Sequence, residues 1–134
     1  MHACHCRDCQ RITGSPFVVN VWIESDHTRV EGERVTRRLP TGSGKGQDAE
    51  ACASCGCIVL TRYLASPSHT VFVRGVCFDD PSLARPDVHI FTRSKVSWLT
   101  LPEDARAFDA FYPLKEVWAQ DSLERLRAGK PASS

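Results

Sequence analysis

The sequence predicts a mainly β protein with a helical segment at its C-terminal end, and three observations carry this. Short runs of β-branched and aromatic residues recur along the chain, Gly, Pro, Ser and Asp punctuate the gaps, and apolar residues take up helical spacing after Pro113. The clearest run is Phe17-Val18-Val19-Asn20-Val21-Trp22-Ile23, bounded by Gly14-Ser15-Pro16 and Ser25-Asp26, which reads as a well-buried strand. Shorter strands are expected over Val35 to Leu39, Ile58 to Tyr63, Thr70 to Val76, His89 to Arg93 and Lys95 to Leu101. Thr41 to Gln47, with three glycines, reads as a flexible loop; it lacks the Gly-Lys-Ser/Thr ending and the following helix of a phosphate-binding loop. Leu114, Val117, Trp118, Leu123 and Leu126 mark a C-terminal helix, interrupted near Asp121-Ser122 and stopped by Gly129, with Lys130 to Ser134 expected to fray.

A chain of 134 residues fits one domain, 1–134, able to hold a real core. Its 17 Lys and Arg against 16 Asp and Glu leave a net charge of +1, so overall charge favours neither nucleic acid nor an anionic membrane surface. No apolar stretch approaches the roughly 20 residues that span a bilayer, and no repeat of solenoid length is visible.

The chemistry concentrates in the cysteines. Cys4, Cys6 and Cys9 fall within Cys-His-Cys-Arg-Asp-Cys, and Cys52-Ala53-Ser54-Cys55-Gly56-Cys57 forms a later knuckle. On an extended segment Cys4 and Cys6 face one side, and Cys9 can close the cup from a turn. Three sulfurs on zinc leave the fourth tetrahedral position open, which separates catalytic from structural sites. A disulfide framework is disfavoured: the cysteine count, seven, is odd, and a Cys4–Cys6 bridge would close a strained loop. With no apolar leader after Met1-His2-Ala3, the expected compartment is the cytoplasm, with reduced thiols.

These segments resemble the glutathione-dependent formaldehyde-activating enzymes and the related centromere protein V group. Cys4 to Arg11 with Thr13 to Phe17 looks like the family's catalytic-zinc motif and its following loop, Cys52 to Gly56 like half of its structural zinc site, and Pro86 to Lys95 with Trp98 like its C-terminal strand signature. The resemblance implies a β-tent fold of small antiparallel sheets around Zn2+. It also implies a carbon-sulfur lyase that condenses glutathione or a related thiol with formaldehyde or a similar carbonyl. Members normally carry a Cys-x-Cys-Gly strand upstream, which nothing before Met1 supplies here, so Cys52 and Cys55 are left as two metal ligands where four are expected, unless Cys57, a histidine or a partner chain fills in. Structural zinc contributes about 10–16 kcal/mol of apparent binding energy, so the expectation is either a truncated start or a rebuilt scaffold. A missing edge strand would leave backbone groups that strand exchange or homodimer formation could cover.

If the resemblance holds, Cys4, Cys6 and Cys9 form the catalytic site, and the carboxylates of glutathione call for cations. Arg7, Arg11, Arg93 and Lys95 lie in the motif segments, each of them also readable as a solvated surface charge. His5 and His89 are near in motif terms only; His89 reads as a hydrogen-bonded structural histidine, and Cys77 and Trp98 as packing. The rival from another class is a non-catalytic zinc-scaffolded interaction module. Against a chromatin role stands the lack of an extended basic tail.

Overall fold

The computed structural model describes residues 1–129; the fraying expected for Lys130 to Ser134 lies outside the described residues. In chain order the elements are β1 (His2–Cys4), α1 (Arg7–Thr13), β2 (Val18–Glu24), β3 (Arg34–Leu39), β4 (Gln47–Cys52), β5 (Ile58–Tyr63), β6 (Thr70–Arg74), β7 (Val88–Ile90), β8 (Arg106–Ala107), α2 (Leu114–Val117) and α3 (Gln120–Ala128). All eight strands join one sheet in the order β3-β4-β5-β6-β2-β1-β7-β8. The mainly β expectation with a C-terminal helical segment holds. The strands share one sheet rather than several small ones, and β1–β7 and β7–β8 are parallel. Among the described residues no helix is long and apolar enough to cross a membrane.

Strand β4 escaped the sequence reading because Gln-Asp-Ala-Glu-Ala-Cys contains no β-branched or aromatic residue. Its alternation is nonetheless that of a strand: Gln47, Ala49 and Ala51 are buried, and Asp48 and Glu50 turn outward. Those two carboxylates pair with Arg38 on β3 and with Arg34 and Arg62 on the flanking strands. Lys95 to Leu101 is not a strand. The chain turns through Thr92–Ser94, the Lys95 ammonium donates to the carbonyls of Val96 at 3.1 Å and Leu99 at 2.5 Å, and Trp98, expected to pack, is 72% exposed. The run ending at Val76 stops at Arg74, where a short 3-10 turn begins. There Gly75 is held by close approach, since a Cβ would meet that of Ala84 at 2.5 Å.

The β1 strand lies inside the sheet, with β2 on one side and β7 on the other, so the edges are β3 and β8 and not the segment after Met1. Edge strand β3 carries Arg34, Arg37 and Arg38, charges of the kind that discourage pairing with another chain. The helical break falls at Trp118-Ala119, three residues earlier than expected. Trp118 is extended there, which sets its ring 4.9 Å from that of Trp22 and lets its Nε1–H donate to Tyr112 Oη at 3.0 Å. Helix α3 docks through Arg125, which reaches buried Glu24 at 3.3 Å, and through His69, whose Nε2 is 3.0 Å from the Leu126 carbonyl.

Cys4, Val18, Val88, Ile90 and Tyr112 form the buried core cluster, with Phe108, Leu114, Val117 and Trp118 packed against it. Ile90 is 2% exposed, so Ile90→Ala should cost about 2–5 kcal/mol, read as a lowered urea midpoint at unchanged slope.

Candidate metal centre

Cys4 ends β1, Cys6 caps the N-terminus of α1, and Cys9 sits in the first turn of that helix rather than in a loop turn. As cap, Cys6 has extended backbone, and its Sγ accepts the Cys9 backbone N–H at 3.4 Å. The helix stops at Gly14, whose positive φ of 62° lets its N–H reach the Gln10 carbonyl. Strand, cap and first turn thus converge, and the three sulfurs lie within 4.8 Å of one another. Hydrogen bonds from the Cys4 and Cys9 thiols hold Cys6 well below the ordinary thiol range, while the bond to Cys6, then that to Cys9, and burial push Cys4 up. Cys9 is pulled down by its Cys4 contact but ends near 12, because the Cys6 bond and burial outweigh it. Three cysteine sulfurs within reach of one point are a soft donor set that fits zinc.

Two contacts position the trio. Buried Gln10 donates from Nε2 to the His5 carbonyl at 2.7 Å and to the Ser94 carbonyl at 2.9 Å, tying α1 to the ends of β1 and β7. Asp8 accepts the Gly42 N–H at 2.5 Å, drawing the β3–β4 loop over the helix. Below that loop is a cavity of about 530 Å³, within the range of small-molecule sites.

The floor of the cavity is one face of the sheet. Side chains two apart share a face, and the register sets His2 opposite Asn20, Asn20 opposite Arg74, and Thr61 opposite Phe72. All of these line the cavity together with Cys4, Cys6 and Cys9. Ala3, His5 and His89 belong to the opposite face. His5 Nε2 lies 3.0 Å from His89 Nδ1, and burial, then His89 and Lys95, lower the His5 pKa to about 4; neither ring lines the cavity. The pair braces the floor from behind.

Of the four cations expected to hold substrate carboxylates, Arg7 and Arg93 line the cavity, and Arg11 and Lys95 do not. Arg93 lies over the Phe91 ring, 5.7 Å from its centroid, and Phe91 is itself left-handed at φ 55°. Cys52 and Cys55 lie at the end of β4 and in its turn; the early trio is the one close group of three or more His, Cys, Asp or Glu ligands among the described residues. The Cys52 thiol is lowered by the backbone N–H groups of Cys55 and Ser54 and by the Cys55 thiol. Cys77, expected in the core, is exposed, with its Sγ 4.0 Å from that of Cys57, because the turn after β6 swings it toward the knuckle. The sequence reading passed over Arg74, although an arginine ending the apolar run Val71-Phe72-Val73 was a visible signal.

Gln10→Leu should leave two carbonyls without their donor and destabilise the fold by about 1–3 kcal/mol. A chelator competition on the same variant should show weaker retention of zinc, because α1 loses its anchor to both strand ends.

No curated protein matches the chain. Its residues 1–94, most of its length and all of the floor and cysteine trio just described, match the family model for glutathione-dependent formaldehyde-activating enzyme, and the chain belongs to that family.

Proposed function

We propose that this protein is a carbon-sulfur lyase that joins a thiol to a small aldehyde, with glutathione and formaldehyde as the pair named by its family's description. The observation that carries the reading is the sulfur trio lining an open cavity, with Cys6 and Cys9 partly exposed beside the buried Cys4. Zinc held by Cys4, Cys6 and Cys9 would supply a Lewis-acidic centre with one exchangeable position, the property that makes a thiol nucleophilic at neutral pH.

The remaining work falls to the chain. Arg7 and Arg93 at the mouth are placed for the carboxylates of a peptide thiol, and Arg offers paired donors suited to them. Buried Ile90 and Phe72 give the inner wall an apolar surface that limits water around the reacting sulfur. The loop Thr41 to Ser43, fixed by Asp8 and by the Tyr63 hydroxyl donating to Ser43 Oγ at 2.7 Å, roofs the site. Seven free cysteines suit a reducing compartment, and we place the protein in the cytoplasm.

Zinc-loaded protein should accelerate adduct formation from glutathione and formaldehyde above the uncatalysed rate, followed by NMR, and Cys6→Ser should abolish the acceleration. Equal rates in the two proteins would remove the catalytic reading and leave a zinc-scaffolded module. We further assign Cys52 and Cys55 to a second metal, with Cys57 and Cys77 as the sulfurs on hand to complete it. Metal analysis should then return two zinc ions per chain, and one in Cys55→Ser; a single zinc in the unaltered protein would overturn this assignment.

A further inference from the structure

The cavity floor holds a charge that the function proposed so far does not use. Arg74, at the end of β6, is 3% exposed and lines the cavity beside the three cysteines. Burying an ion costs several kcal/mol unless it is paired, and the usual partner for a buried arginine is a carboxylate. Among the described residues Arg74 forms no salt bridge. Its Nη1 donates to Asn20 Oδ1, and its Nε has no hydrogen-bond partner.

The residues around it fix this arrangement. His2, Asn20 and Arg74 occupy one rung across β1, β2 and β6. Asn20 Nδ2 lies 3.5 Å from His2 Nε2, which turns the amide oxygen toward Arg74. The network orients the guanidinium without neutralising it. A preformed, water-poor donor with net positive charge is what a site requires where an oxygen becomes anionic during reaction.

We propose that Arg74 is the oxyanion-binding residue of this site, receiving the aldehyde oxygen as it gains charge, an inference that rests on the thiol-aldehyde reading above. A thiol that has given its proton to solvent attacks the carbonyl carbon. The sulfur lone pair becomes the carbon-sulfur bond, the carbonyl π pair moves onto oxygen, and the Arg74 N–H groups donate to that oxygen until it takes a proton from solvent. No oxidant or reductant enters. The depth of Arg74 separates its role from those of Arg7 and Arg93, which are exposed at the mouth and suited to the carboxylates of the thiol.

Three variants of the zinc-loaded protein test this. Arg74→Met keeps the bulk and removes the charge, Arg74→Lys keeps the charge, and Asn20→Asp places a competing carboxylate on the guanidinium. Arg74→Met should lower kcat about 10²-fold or more with the thiol KM within about threefold, and Arg74→Lys should recover part of the loss. The second readout is independent of turnover: formate, a small planar oxyanion, should shift the Arg74 Nε–H resonance in the unaltered protein and leave it unmoved in Asn20→Asp. Formate binding without any acceleration of adduct formation would keep the oxyanion site and overturn the lyase reading. Acceleration that survives Arg74→Met would overturn the role of Arg74 alone, as would loss of zinc from both Arg74 variants, which would assign the residue to holding the metal centre together.

Discussion

Everything in this structure depends on β1, a strand of three residues that is hydrogen-bonded on both sides. It pairs antiparallel with β2 and parallel with β7, so it is the seam between β3-β4-β5-β6-β2 and β7-β8. All three of its residues are buried. Because side chains alternate, the same strand sends His2 and Cys4 into the cavity and Ala3 to the reverse face. The fold therefore cannot place its first sulfur without also closing its sheet, and site and scaffold share one set of backbone hydrogen bonds.

The sulfur geometry follows from that seam. Where β1 ends, the chain turns straight into α1, and Cys6 supplies the cap that a serine or aspartate usually supplies. The cap bond from the Cys9 N–H to Cys6 Sγ brings the second and third sulfurs together, and Gln10 fixes the helix against both strand ends. The cavity then needs only a roof, which the β3–β4 loop provides through Asp8. The cations of the cavity divide by depth, with exposed arginines at the mouth and a buried one on the floor.

Much of this was legible in the sequence where one residue type decides the outcome. The spacing of Cys4, Cys6 and Cys9 gave a common donor site, and β5 was read at its observed bounds, Ile58–Tyr63, from a run of apolar and β-branched residues between turn signals. What escaped depends on which partners each side chain finds. The β4 strand is made of alanines and acids whose outward carboxylates are satisfied by arginines on both neighbouring strands, and composition alone reads such a segment as loop. Lys95 to Leu101 has strand-like composition, but its lysine bonds to nearby carbonyls and its tryptophan faces solvent. Arg11 and Lys95 lie in the right motifs and still do not line the cavity, whereas Arg74, outside them, reaches it by register. Motif membership places a residue near a site; strand alternation decides whether it enters.

The parallel pairing of β1 with β7 carries a further consequence for how the protein is made. His2 finds Val88, and Cys4 finds Ile90, only after most of the chain has left the ribosome. Contacts so distant in sequence pay a large loop-closure entropy and form late. Until they do, the three early thiols travel on an open segment, available to any soft metal or oxidant the cell presents. Capture of the right ion during synthesis would nucleate the sheet's seam, and the wrong chemistry at those sulfurs would leave its two halves apart.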